Sequence, residues 1–420
     1  VWAQEAADAV APEEATVTGF GPVSAETAAA LDAKSKNVPV EASDWMVAAA
    51  NPHAVEAGAT VLRAGGTAAD AMVAVQAVLG LVEPQSSGLG GGAFLVWYDG
   101  ATGEITTLDG RETAPLEARP TLFHNADDEP LKFFDAVVGG RSVGTPGTPA
   151  LMQAAHDSWG KSAWAGLFSD AIRMADEGFP VSARLAGLIS GDAERLSRFK
   201  ATRDYFLPGG EPIAEGTTLV NAAYANTLRA IAARGAEAFY TGRIAEDVVA
   251  TVRSAAGNAG VLSLTDLALY QVHERSAVCV DYREHDVCGM GPPSSGALTV
   301  GQILGMLDYY ELSDHAPDDP EAWRLIGDAS RLAFADRGRY MADSDFVPVP
   351  TKGLVEQTYL GERAKLLSGD DALPEVAPGN PGFDHAMLAD DESIEFPSTS
   401  HVSIVDAYGN ALSMTTTIEN

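Results

Sequence analysis

Cysteine is nearly missing from this chain of 420 residues: two occur, too few for a disulfide framework. Basic residues are also scarce, 27 Lys and Arg against 59 Asp and Glu, for a formal net charge of -32. That imbalance excludes the basic footprint that nucleic acids and anionic membrane surfaces require. No apolar run reaches the roughly 18 residues of a membrane span. Residues 71–82 are apolar but short, and read as a core helix. Neither H-E-x-x-H nor a paired Cys/His spacing occurs, so nothing argues for a metal or another cofactor.

What is present is core-forming material. Hydrophobic residues make up 46% of the chain, ample for a large globular fold, and length alone favours two domains. The acidic excess reads as a solvated surface and suits a salty environment. Residues 1–44, rich in Ala, Glu and Pro with little periodicity, are predicted to be a poorly ordered extension. Val1-Trp2-Ala3-Gln4 reads either as the end of a secretory signal cleaved after Ala3 or as an arbitrary start inside a disordered leader.

The fold is predicted to start near Met46. Asn51 as cap and Pro52 at the first helical position open a helix to Arg63, and Thr67 caps a second helix to Val82. A hairpin, 93–98 and 104–108, turns at Asp99-Gly100 and delivers Arg111 just after its second strand. Helices are expected over 149–159, 163–178, 221–233, 296–310 and 321–340. Strands at 277–282 and 285–290 set Cys279 opposite Cys288; two buried free thiols are the favoured state and a disulfide the alternative. Residues 368–395 read as a flexible acidic linker.

The chain closes on Pro397-Ser398-Thr399-Ser400-His401-Val402-Ser403-Ile404-Val405-Asp406-Ala407-Tyr408-Gly409-Asn410-Ala411-Leu412-Ser413-Met414-Thr415-Thr416-Thr417-Ile418-Glu419-Asn420. This reads as a hairpin in which Asp406-Ala407-Tyr408-Gly409 makes a type I turn, with Gly409 left-handed in a G1 bulge. Asp406 then closes against Asn410, and Thr399 falls opposite Thr417 with Glu419 on the same face. A slip of one residue would turn Thr417 to the other side. Taken alone, two threonines and a carboxylate are also ordinary sheet decoration.

This closing segment resembles the γ-glutamyltransferase (glutathione hydrolase) family of N-terminal-nucleophile hydrolases. The same resemblance is carried by Ala50-Asn51-Pro52-His53-Ala54-Val55-Glu56-Ala57-Gly58, Glu83-Pro84-Gln85-Ser86-Ser87-Gly88-Leu89-Gly90-Gly91-Gly92, Leu108-Asp109-Gly110-Arg111-Glu112-Thr113-Ala114-Pro115 and Gly291-Pro292-Pro293-Ser294-Ser295-Gly296. It implies an α+β fold, a four-layer αββα sandwich, formed as one large unit from residues 45–398 and the segment 399–420. Because the chain stops at residue 420, the resemblance also implies that most of the small subunit lies beyond it and that this stretch alone is inactive.

In such proteins the threonine matching Thr399 becomes an N-terminus by cleavage after the residue matching Ser398, and then acts as nucleophile. The resemblance assigns Thr417 to orient that hydroxyl, Arg111 to grip a substrate α-carboxylate, and Glu419 to receive an α-ammonium. A surface ion pair of Arg111 with Glu112 or Asp109 is the plain alternative. The implied donor is glutathione or a related γ-glutamyl compound, and the acceptor is water, an amino acid or a peptide. The implied partner is the chain's own small subunit, and the implied location is periplasmic or secreted. A glutaryl-cephalosporin acylase and a non-catalytic exported binding protein are the alternatives.

Two further motifs mislead. Gly140-Arg141-Ser142-Val143-Gly144 fits the serine nucleophile elbow, but the prolines that follow prevent the required helix. Residues 88–92 suggest a phosphate loop, yet they follow a helix and precede a strand, so close backbone packing near the active site is the better reading. The charge makes a test of its own. Molar salt, which shortens the Debye length to about 3 Å, should raise the melting temperature by screening self-repulsion; calorimetry across a salt series checks this.

Overall fold

The computed structural model describes residues 23–383, 389–391 and 398–418. Its described residues fall into two units: one draws on residues 23–104, 108–273 and 398–418, the other on Ile105–Thr107, residues 274–383 and residues 389–391.

In the first unit, the stretch expected to be a loose extension contains a helix, α1 (Ala25–Ser35), capped by Ser24. Thr27 Oγ1 donates to Glu56 Oε2 at 2.6 Å, holding α1 against α2 (Pro52–Arg63). Asn51 Oδ1 accepts the His53 N–H at 3.0 Å and starts α2. Thr67 and Asp70 exchange hydrogen bonds in a capping box that starts α3 (Ala68–Val82). Both helices keep their expected bounds. All of α3 except Gly80 is buried, as befits a helix apolar on every side.

Five strands of this sheet concern the site: β1 (Met46–Ala48), β2 (Gly92–Tyr98), β3 (Ile105–Gly110), β4 (Ser400–Val405) and β5 (Ala411–Thr417). Their order is β1-β4-β5-β2-β3. The closing hairpin therefore lies inside the sheet, with β4 antiparallel to β1 and β5 antiparallel to β2. Val402, Ile404, Leu412, Met414, Leu95 and Trp97 are buried on one face. That face meets α3 and α4 (Thr148–Trp159), where Trp97 stacks on Trp159 at 4.7 Å. The class is α+β. Among the described residues this is the only sheet of more than two strands, so the second central sheet of the implied sandwich is not among them.

The turn of the closing hairpin follows the expected geometry. Asp406 N–H donates to Asn410 O at 3.0 Å, Gly409 N–H to Asp406 O at 3.1 Å, and Gly409 has φ 84°. Asp406, 1% exposed, accepts on Oδ1 from the N–H groups of Tyr408 and Asn410, and on Oδ2 from Asn410 Nδ2 and from Ala68 N–H at 2.9 Å. One carboxylate thus closes the turn and receives the first turn of α3.

The second unit packs helices Gly296–Leu307, α5 (Pro320–Tyr340) and Gln357–Ala364 around Met306, Leu325, Leu332 and Leu360. Buried Asp336 collects Gln302 Nε2, Tyr359 O–H, Arg363 Nη2 and Gly379 N–H at 2.6–3.1 Å. The stretch expected as a flexible linker is tied to α5 here and at two further points: Leu373 N–H donates to Asp328, and Asp391 N–H to Gly338 O. The expectation of free thiols is corrected. Cys279 and Cys288 face each other as expected but form a disulfide; free thiols were favoured on burial, and Cys279 is exposed.

Asp406→Ala leaves four donors without their acceptor. It should cost about 2–4 kcal/mol of stability, measured by denaturant unfolding.

Candidate active site

The expected register is the observed one: Ala411 faces Val405, Leu412 faces Ile404 and Thr416 faces Ser400. One residue beyond, Thr399 and Thr417 meet, with Thr399 O–H donating to Thr417 Oγ1 at 3.3 Å. Thr417 O–H in turn donates to the carbonyl oxygen of Ser398 at 2.8 Å. A chain of two hydroxyls therefore ends on the carbonyl just upstream of Thr399. Ser398 is held from its other side as well, its hydroxyl donating to Gln85 O at 2.7 Å.

Pleating divides the chemistry. Ser400, Val402 and Ile404 point into the helical layer, while Thr399 and His401 lie on the open face. His401 Nδ1 contacts Thr415 Oγ1 at 2.9 Å and its Nε2 contacts Ser413 Oγ at 3.1 Å. Burial pushes this imidazole below its ordinary value, and both nitrogens are engaged along the strands. Its contacts thus run along the open face of β4 and β5 rather than to Thr399.

The glycine loop packs where expected. A Cβ on Gly91 would lie 1.9 Å from Thr417 O, so only glycine lets the loop reach the end of β5. Gly91 O accepts the N–H groups of Gly147 and Thr148 at 2.8 and 3.1 Å, which fixes the loop to the start of α4.

Arg111 follows β3. Its guanidinium lies over the Phe94 ring at 5.8 Å, and Phe94 pairs with Thr415 across β2 and β5. The arginine is therefore on the open face, with Thr417 two residues along β5 from that pair. Arg111 Nε also meets Glu112 at 3.5 Å, the ion pair of the plain alternative. Tyr270 O–H donates to Arg111 O at 2.7 Å; burial, with nearby Tyr240, Asp109 and Glu112, pushes that phenol up and keeps it a neutral donor. Glu419 lies outside the described residues.

Sequence reasoning missed three contributors: the Gln85 carbonyl under Ser398, Phe94 beneath Arg111, and Tyr270. The first is a main-chain atom, which carries no side-chain signal. The other two are aromatic residues in apolar settings, indistinguishable from core.

A helix-backed antiparallel sheet presenting a hydroxyl beside its own upstream peptide bond defines an α+β fold of the N-terminal-nucleophile hydrolase type. The chain belongs to the gamma-glutamyltranspeptidase family, whose sequence model matches residues 54–420. It is 38% identical over 382 residues to a glutathione hydrolase proenzyme of Bacillus subtilis, covering 90% of this chain and 64% of that protein. It is 34% identical to an acylase ACY 1 proenzyme of a Pseudomonas strain, covering 90% of this chain and 66% of that protein. The crystal structure of Helicobacter pylori gamma-glutamyltranspeptidase superposes with a TM-score of 0.78 at 32% identity, covering 83% of this chain and 99% of that one. The chain thus spans somewhat under two thirds of the length of these curated relatives.

Gly91→Ala should displace the end of β5 and lower the rate of any chemistry at Thr399 by about 10²-fold, the cost of a displacement near 1 Å. Timed mass spectrometry of the full gene product checks this.

Proposed function

We propose that this chain carries the self-cleaving nucleophile of an enzyme that transfers γ-glutamyl groups to water, amino acids or peptides. The observation that carries the reading is the hydroxyl chain Thr399 to Thr417 to the Ser398 carbonyl. Threonine is a weak nucleophile until a base takes its proton, and a freed α-amine on the same residue supplies one. In the scission, Thr399 Oγ attacks the Ser398 carbonyl carbon while Thr417 O–H holds the oxygen. The C–N bond breaks, the hydroxyl proton passes to the departing nitrogen, and an ester joins Ser398 to Thr399 Oγ. Water hydrolyses that ester, releasing the Ser398 carboxylate and a free Thr399 amine.

In turnover the amine takes the Thr399 hydroxyl proton as Oγ attacks the γ-glutamyl carbonyl, then gives it to the leaving amine. Arg111 suits the donor's α-carboxylate because its planar fork makes paired charge-assisted bonds. The proposed donor is glutathione or a similar γ-glutamyl compound, and Glu419 would receive its α-ammonium. A glutaryl acylase is the second reading, favoured by the similarity to the ACY 1 proenzyme. A glutaryl chain has no amine, so it would leave Glu419 without a charge partner. Export to the periplasm or beyond is also proposed, supported by the disulfide.

The full gene product should acquire a new N-terminus at Thr399, seen by mass spectrometry, and Thr399→Ala should abolish it. Thr417→Val should slow it about 10²-fold through loss of one carbonyl donor. Hydrolysis of a γ-glutamyl anilide should exceed that of the glutaryl analogue; the reverse preference selects the acylase. Its kcat/KM should fall as pH drops through about 7.7–8.0, where the α-amine is protonated and can no longer accept the hydroxyl proton.

A further inference from the structure

We infer that Glu83 is a positioning residue for scission, acting through Ser398; the inference rests on the self-cleavage reading above. Ser398 precedes β4, so the peptide unit to be cut lies ahead of the residues paired in that ladder. Its orientation depends on two contacts, the Thr417 hydroxyl on its carbonyl and the Gln85 carbonyl under its hydroxyl. Gln85 sits in a tight turn after α3, where the N–H groups of Ser86 and Ser87 both donate to Glu83 O.

The Glu83 carboxylate fixes that turn. It is 2% exposed and accepts from Asn51 Nδ2 at 2.8 Å, Gln85 Nε2 at 2.5 Å and Arg184 Nη1 at 2.9 Å. Burying a carboxylate is costly unless donors surround it, and here one of them carries the opposite charge. Asn51 also caps α2, so the start of α2, the end of α3 and the Gln85 turn converge on this one group. The Gln85 carbonyl is thereby held still, and Ser398 with it. A rotated Ser398 peptide would present its carbonyl away from both the attacking hydroxyl and Thr417.

The experiment follows the first-order appearance of a chain beginning at Thr399 in the full gene product. Ser398→Ala removes the hydroxyl but keeps the carbonyl, and should slow scission about tenfold, equivalent to one hydrogen bond of about 1.4 kcal/mol. Ser398→Thr, which restores a hydroxyl, should recover most of the rate. Glu83→Gln should slow scission by a similar factor alone, yet by no more than about twofold on top of Ser398→Ala, since both act through one contact. Unchanged scission in Ser398→Ala overturns the inference, and so does a Glu83→Gln effect that multiplies fully with it. If the unaltered protein stays uncut, as Thr399→Ala should, the self-cleavage reading itself has failed, which separates the two failures.

Discussion

A buried carboxylate at a hairpin turn sets the geometry on which everything at the site depends. Asp406 accepts from Tyr408 and Asn410 within the turn and from Ala68 at the head of α3. The turn contacts fix which residues face each other along β4 and β5. The helix contact fixes where the hairpin sits against the buried apolar helix α3. Strand faces alternate with every residue, so a slip of one would move Thr417 from the open face into the helical layer. The pairing of two hydroxyls at one end of the hairpin is therefore decided at its other end.

The two faces of this sheet carry different burdens. Val402, Ile404, Leu412 and Met414 are buried, and at about 25 cal/mol per Å² such burial supplies most of the free energy that holds the strands in place. The opposite face bears Thr399, His401, Ser413 and Thr415, polar residues that add little packing. Its chemistry is thus held by a frame it does not help to build. Changes on the open face can alter reactivity while leaving the core contacts intact, whereas Asp406 and Gly91 affect both.

Much of this was legible in the chain. The bounds of α2 and α3 follow from caps at Asn51 and Thr67, because a side-chain oxygen before an apolar period is a local signal. The three-residue turn follows from Asp406 and Gly409, and the register follows from the turn. Contacts made by main-chain atoms at long range were not legible. Gln85 O and Ser398 are 313 positions apart, and no propensity or period joins them. The cysteines show a third case: their pairing opposite each other was readable from a hairpin, but the bond between them was not, since strand pairing sets which residues face each other and not whether two thiols are oxidised. The linker at 368–395 was judged by composition, and composition could not show that Asp328 and Asp336 wait on α5 to receive its N–H groups.

The proposed chemistry asks one hydroxyl to serve twice, and the contacts around Thr417 make that economical. Before scission its proton is committed to the Ser398 carbonyl, and its oxygen accepts from Thr399. In that arrangement it polarises the bond to be cut and orients the attacking group. Once Ser398 ends in a free carboxylate, hydrolysis leaves a full negative charge where a neutral carbonyl had been. The group is then no longer covalently tied to Thr399, and water competes for it. Its departure would return the Thr417 proton to the site just as the Thr399 amine becomes available as base. A side chain with a single donor and acceptor can therefore support both reactions in sequence, provided that the backbone behind it does not move; Gly91, packed against the Thr417 carbonyl, supplies that constraint.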